Sequence, residues 1–374
     1  MRETNRLRNR TDHRRDNNFT MIRFIATIFV FAGHMGFIRG GEPPFLAGFF
    51  LHEIGVGILF LIGGYLITQS WLSDPDPVSY SIRRFFRLWP PFAVMILIMV
   101  FVTGPLLSDL GIKGYFSSWY TLYLRNLRFF IVFAQPGVFG DLPLAYSTNG
   151  SLWTMPVEAV LYILTPFLLT ALRVRRQRQA SFRRAAILTG AFCVIDIILR
   201  AFFEKKMVVV YGTDLISAFH LIVLYIIGIL FTYEQVRQYL NVQIGCLGMC
   251  VLFVFQFAAK PLQYILLFLI FPYFIFSLAL ASKPAFCQFG RRFEPSYGIF
   301  LYGFFFQQLM VSFQQHMGWN CSFVVILLLS AVPTFLVAAF SYYVVEKPMQ
   351  QFGRFLIRKW KNRKRRGKRL ESLS

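Results

Sequence analysis

The chain has 374 residues, 56% of them hydrophobic and only 15% charged, with 45 phenylalanines. A soluble domain carries about a quarter of charged residues, so apolar runs of about 20 residues with charges in the gaps exclude a soluble fold and indicate a polytopic membrane protein. The net charge of +22 does not indicate nucleic-acid binding, because arginine and lysine gather in short loops and at both ends, where the positive-inside rule places cytoplasmic segments.

Residues 1–18 contain Arg2, Arg6, Arg8, Arg10, Arg14 and Arg15 with few apolar residues, and read as a basic, poorly ordered cytoplasmic head. A first span follows over 19–38. Gly40-Gly41-Glu42-Pro43-Pro44 comes after it instead of a small-residue cleavage site, so the span reads as a retained signal anchor. It carries Arg23 near its start and His34 eleven residues later. At about 100° per residue the two return to one helical face, roughly 16 Å apart along the axis. Ionisable groups within an apolar helix are costly and mark a substrate or proton path, which makes this face the first candidate site.

A second span, 54–71, returns to the inner side. There Ser81-Ile82-Arg83-Arg84-Phe85-Phe86-Arg87-Leu88-Trp89-Pro90-Pro91 leads into a third span ending near Leu107, with both prolines expected in its first turn. Residues 108–150, rich in Tyr, Trp and Pro, are the longest non-spanning stretch; 120–133 reads as an interfacial or re-entrant helix able to cover a site from the outer face. Further spans are expected at 151–172, 185–203, 214–233, 242–259, 262–281, 296–313 and 322–344, with inner basic loops such as 173–178 between them. The expected architecture is all-α, a polytopic integral membrane bundle of about ten transmembrane helices with both termini cytoplasmic. It comprises a head (1–18), a transmembrane domain (19–345) and a basic cytoplasmic tail (346–374). The five cysteines lack metal or redox spacing and read as core residues, so no metal is expected. Neither a fixed-period repeat nor paired broken spans of an inverted-repeat transporter is present in the sequence.

Among the five histidines, His34 stands out because Arg23 shares its face. One helix then carries a phosphate-capable cation near the cytoplasm and a base deeper in, although a lone histidine on an apolar helix is more often a packing residue. Glu158 lies about two turns into the fourth span and, by the expected topology, at the depth of His34. A carboxylate there can fix an imidazole tautomer and stabilise the imidazolium; alternatively it is a structural partner for an arginine. Arg83, Arg84 and Arg87 are either a topogenic signal or a mouth where a polyanionic cytosolic ligand docks.

Several elements then arrive in a familiar order. Arg23 and His34 are followed by Gly55-Val56-Gly57-Ile58-Leu59-Phe60-Leu61-Ile62-Gly63-Gly64-Tyr65 and Arg84-Phe85-Phe86-Arg87-Leu88-Trp89-Pro90. Next come Asn149-Gly150-Ser151-Leu152-Trp153-Thr154 with Glu158, then Ser296-Tyr297-Gly298-Ile299-Phe300-Leu301-Tyr302, and finally Val345-Glu346-Lys347-Pro348. In these the chain resembles the membrane-bound acyltransferase-3 family over nearly its whole length, and most closely the branch that O-acetylates bacterial surface polysaccharides. It departs at Gly63, where the family commonly has serine, at Leu59 in place of phenylalanine, and at Gly303-Phe304-Phe305, which lacks the family's frequent histidine and proline. No role is carried over at those positions.

The resemblance implies transfer of an acyl group, most often acetyl, from cytoplasmic acyl-CoA (acetyl-CoA) across the bacterial inner membrane to a hydroxyl of a surface polysaccharide or lipid-linked sugar. His34 would be the general base assisted by Glu158, and Arg23, Arg84 and Arg87 would hold the CoA phosphates. An acyl-histidine intermediate is less favoured, and Gly63 removes an obvious serine nucleophile. A separate periplasmic or polysaccharide-assembly partner fits this picture. Rival readings are a flippase or transporter of a lipid-linked saccharide, with Arg23, His34 and Glu158 as a proton relay, and a non-catalytic scaffold.

Overall fold

The computed structural model describes residues 17–174, 179–203, 208–281 and 285–371, with side chains to Arg365 in the last helix. The expectations for residues 1–16, Arg175 to Arg178 and Lys283 lie outside the described residues. Strands are confined, among the described residues, to two antiparallel hairpins: β1 (Phe45–Leu46) with β2 (Phe49–Phe50), and β3 (Val209–Val210) with β4 (Thr213–Asp214). The main helices are α1 (Phe19–Ile38), α2 (Leu51–Ser73), α3 (Pro77–Ile98), α4 (Met155–Ala171), α5 (Gln179–Phe203), α6 (Leu215–Leu230), α7 (Val242–Val254), α8 (Lys260–Ala279), α9 (Ser296–His316), α10 (Phe323–Ser341) and α11 (Lys347–Glu371). Each of the ten predicted spans is therefore helical. Among the described residues, seven helical runs are long and apolar enough to cross a membrane: α1, α2, Pro77–Leu107, Gly150–Ala171, α5, α8 and Phe323–Arg365. Exposed Ile187, Val194, Ile198 and Phe202 on α5, and Val332, Leu336 and Phe340 on α10, form outward apolar faces suited to lipid.

The chain divides into two compact units. The first contains residues up to Leu66 and Leu169–Ser296. Asn18 ties the start of α1 to the end of α8: its N–H donates to the Ala279 carbonyl (3.0 Å), and its side-chain amide donates to the Leu278 carbonyl (2.9 Å). Phe19 stacks on Tyr65 (5.1 Å), and Phe276 on Phe231 (4.3 Å), within an apolar core drawn from α1, α2, α6 and α8. A Cβ at Gly64 would strike the Tyr225 carbonyl, and one at Gly228 the Leu61 carbonyl. Small residues thus bring the α2 and α6 backbones into contact, as apolar helices require when packing rather than water drives association. Asp214 caps α6 by accepting from the Ser217 N–H (2.9 Å).

The second unit contains Ile67–Leu168 and the chain from Tyr297 onward. Here α3 starts at Pro77, capped by Asp76, whose Oδ2 accepts from the Ser79 N–H (2.9 Å). Pro90 and Pro91 therefore lie inside α3 and not in its first turn, and Arg83, Arg84 and Arg87 ride on the helix instead of leading into it. Downstream, Met99–Thr103 forms a π turn. Its carbonyls are taken up by side chains, Gln135 donating to Met99 O (2.9 Å) and the Tyr115 hydroxyl to Val100 O (3.0 Å). The predicted interfacial helix at 120–133 is instead a 3-10 helix, Tyr120–Arg128, ended by Phe129 in the left-handed region (φ 59°). The Asn126 amide closes that end on the carbonyls of Tyr123 and Val132 (2.8 and 3.0 Å).

The basic tail is helical. A π turn, Tyr342–Glu346, joins α10 to α11, so the expected domain boundary at 346 falls inside a continuous helical run. The α11 helix lies along α3, with Phe352 against Phe86 (5.6 Å). Lys361 pairs with Asp74 (2.8 Å) and Lys364 with Asp76 (3.1 Å), while the Trp360 indole donates to Asp76 (3.1 Å).

Candidate active site

In the first unit, α1 places Arg23 and His34 on one face, and each has a partner from elsewhere in the chain. Arg23 forms an ion pair with Glu294 (2.6 Å), a residue the sequence reading did not single out. His34 is buried, and its ring lies 5.7 Å from that of His52, tilted by 32°. Gly33 makes this approach possible: a Cβ there would sit 2.5 Å from His52 N and 2.6 Å from His52 Cβ. Phe37 meets the His52 ring edge-on (5.0 Å) and Phe50 stacks on it (5.8 Å). His52 was also missed in the sequence; its available signal was a second histidine just before the Gly55 motif. A neutral imidazole can accept a proton through its unprotonated ring nitrogen.

The second unit brings Arg84, Arg87 and Glu158 together on a tyrosine frame. Arg84 donates to Ser70 Oγ (3.2 Å), and its guanidinium lies 5.6 Å from the ring centroids of both Tyr80 and Tyr162. The Tyr80 hydroxyl donates to the Tyr162 carbonyl (2.9 Å), and the Tyr162 hydroxyl donates to Glu158 Oε1. Arg87 lies 5.7 Å from the ring of Tyr297, whose hydroxyl donates to Leu88 O (2.7 Å). Glu158, Arg84 and Arg87 all act electrostatically on Tyr162; Glu158, Arg87 and the fully buried Glu346 act on Tyr297. Arg83 instead pairs with Asp74 (2.7 Å), toward the α11 contact. Guanidinium groups ordered by aromatic faces and a carboxylate present a planar donor fork suited to phosphate oxygens.

Two sequence motifs also meet in this unit. The Asn149 side-chain amide donates to Leu301 O (2.7 Å), and Ser151 Oγ donates to Phe300 O (3.1 Å). Gln308 on α9 reaches back to the carbonyls of Leu144 and Ser147 (both 2.9 Å). The Asn149 motif thus fixes the entry to α4 against α9, and with it the position of Glu158 in the first turn of α4.

A helical bundle with apolar spans and arginine, glutamate, tyrosine and paired histidine within them is a membrane protein built around polar sites. Residues 16–343 match the family described as acyltransferase domain, and the chain belongs to this acyltransferase family. It is 26% identical over 355 residues to an O-acetyl transferase of Shigella phage Sf6, covering 92% of this chain and 97% of that protein. It is 30% identical over 164 residues to nodulation protein 10 of Rhizobium leguminosarum bv. viciae, covering 41% of this chain and 44% of that protein. Against the peptidoglycan O-acetyltransferase OatA of Listeria monocytogenes it is 31% identical over 170 residues, 41% of this chain and 24% of that protein. The chain thus spans nearly all of the phage protein and less than half of the other two. No solved structure matches it.

Proposed function

We propose that the protein is an O-acetyltransferase of the bacterial inner membrane that moves acetyl from cytoplasmic acetyl-CoA to a hydroxyl of a surface polysaccharide or lipid-linked sugar. The observation that carries this reading is the buried His34 beside His52, in a chain that matches an O-acetyl transferase along nearly its whole length. In the proposed step His34 removes the acceptor hydroxyl proton as the oxygen attacks the thioester carbonyl. The C–O bond forms, the C–S bond breaks, and the imidazolium returns the proton to the leaving thiolate, releasing CoA. Glu158 supports the positive charge that develops on the imidazole, and Arg84 and Arg87, with Arg23, hold the CoA phosphates. The basic loops and ends favour cytoplasmic termini, a bundle of ten spans over 19–345, and donor entry from the cytoplasm.

The test is transfer from labelled acetyl-CoA by the purified protein in lipid nanodiscs, with a de-O-acetylated oligosaccharide of the host's surface polysaccharide as acceptor. Wild type is expected to label the sugar. His34→Ala and Glu158→Ala are expected to lose at least about a hundredfold in rate, the scale of general acid–base catalysis. Wild-type transfer by a correctly inserted His34→Ala protein would refute the mechanism.

A further inference from the structure

A second charged cluster lies in the first unit, outside the residues assigned above. Asp196 on α5 is fully buried, and its Oδ2 accepts from His220 Nδ1 on α6 (2.8 Å). Arg200, one turn along α5, faces the same oxygen at 3.5 Å; it donates to the Tyr264 hydroxyl on α8 (3.0 Å), with its guanidinium 5.0 Å from that ring. Asp196 and Arg200 belong to the last two turns of α5, whereas His220 and Tyr264 belong to the first two turns of α6 and α8. The cluster therefore sits at one end of the unit, the end that carries β1, β2 and the start of α2. From there β2 links the cluster to His34, its consecutive residues Phe49 and Phe50 turning their side chains to opposite faces of the strand. Tyr264 meets Phe49 edge-on (5.6 Å), Phe50 next to it stacks on His52 (5.8 Å), and His52 lies 5.7 Å from His34.

A simple staple between helices needs no more than the ion pair. This cluster holds a buried acceptor, Asp196 Oδ1, and a buried donor, Arg200 Nε, with no hydrogen-bond partner among the described residues, and Gln263 Oε1, an acceptor in the same condition, stands one residue before Tyr264 on α8 near Gly48. The Gln263 amide nitrogen is already committed to the carbonyls of Gln256 and Ala258. A buried acceptor and a buried donor side by side match hydroxyl groups, which both donate and accept. The opposed charges of Asp196 and Arg200 match a neutral ligand, and the carboxylate disfavours an anionic one. Two aromatic rings beside them provide a surface for an apolar C–H face. Hydroxyl donors, ring and hydroxyl oxygens for Arg200, and a C–H face are together the chemistry of a neutral sugar ring.

We propose that Asp196, Arg200, His220 and Tyr264, with Phe49 beside them, form an acceptor subsite that holds one sugar ring while a neighbouring hydroxyl is presented at His34. The subsite rests on the reading of His34 as the point of transfer.

Binding is measured directly, apart from catalysis, by titrating nanodisc-embedded protein with the de-O-acetylated oligosaccharide. Wild type is expected to bind, with Asp196→Asn and Tyr264→Phe weakening Kd at least about tenfold, the scale of a lost charged or buried hydrogen bond. In the transfer assay the same variants raise the acceptor KM by a similar factor and the acetyl-CoA KM much less. Ile198→Ala, on the exposed face of α5, leaves both unchanged. Absence of sugar binding by wild type overturns the proposal, as does wild-type Kd in folded Asp196→Asn and Tyr264→Phe proteins; a lowered Tm with unchanged Kd marks a helix staple only. Should Asp196→Asn fail to fold, Tyr264→Phe and Phe49→Ala, which keep the Asp196–His220 pair, decide the matter. Sugar binding without acetyl transfer by wild type refutes the proposed activity and leaves the subsite standing.

Discussion

Gly33 decides whether the His34 and His52 rings can meet, because any side chain at that position displaces the backbone at the start of α2. Gly33→Ala is expected to cost about 1–3 kcal/mol of stability, the range for overpacking, and to reduce acetyl transfer more than His52→Phe does; thermal unfolding and transfer rates check both. His34 was legible in the sequence because helical periodicity alone places it over Arg23. His52 was not, since its proximity depends on how closely two helices cross, which a period within one helix does not encode. The partner of Arg23 was hidden for a similar reason: Glu294 is remote in sequence and belongs to a loop. Arg23→Ala removes the guanidinium 2.6 Å from that partly buried carboxylate (side-chain exposure 12%), and is expected to destabilise the protein by about 1–3 kcal/mol. Recovery of Tm in Arg23→Ala/Glu294→Ala separates this loss from any loss in acetyl-CoA use.

At the scale of elements, α3 and α11 show what charge composition concealed. The basic tail read as a cytoplasmic appendage, yet Phe352, Leu356 and Trp360 recur at helical spacing, and Phe352 and Trp360 meet α3. The true start of α3 was also present in the sequence as Asp76-Pro77, a capping residue followed by proline; the later proline pair drew the boundary too far downstream. Burial pushes the Asp74 and Asp76 carboxyls up. Hydrogen bonds from Lys361 and Arg83 to Asp74, and from Ser79, Lys364 and Trp360 to Asp76, outweigh that and hold both below the usual carboxylate range. Their contribution to docking is thus complete above the unfolded-state value of about 3.9, and is lost as pH falls through the lowered folded-state values. Spin-label distances between α3 and α11 are expected to stay constant from pH 7 to about 5 and to lengthen only in stronger acid. Asp76→Asn, which keeps a cap acceptor for Ser79 but sets no charge against Lys364, is expected to lengthen them at neutral pH.

Across the described residues, hydropathy made the helical class readable and marked ten apolar runs that each contain a helix, because a helix that meets lipid must satisfy its backbone internally and cover itself with apolar side chains. Irregular parts were less readable: the 3-10 helix at Tyr120–Arg128, the π turns and the hairpins depend on tertiary hydrogen bonds such as those of Asn126 and Gln135. The arginines of α3 were visible as a cluster, but their division was not, with Arg83 committed to Asp74 while Arg84 and Arg87 face tyrosines. Arg84→Gln and Arg87→Gln are accordingly expected to raise the acetyl-CoA KM at least about tenfold, the scale of a lost charge-assisted hydrogen bond, with a smaller effect on the acceptor KM. Equal rises for both substrates would argue against a donor-binding role.

The unbroken run from α10 through the π turn into α11 also has a mechanical meaning. Glu346, buried near Tyr297, and Lys361 and Lys364, clamped to the loop before α3, are parts of one rod. A load at the far end of α11 is expected to be felt at the tyrosine and arginine frame, since one helical run carries both sets of contacts. A bulky tag fused after the last helix is accordingly expected to lower transfer activity, and the same tag on a long flexible linker to leave it unchanged.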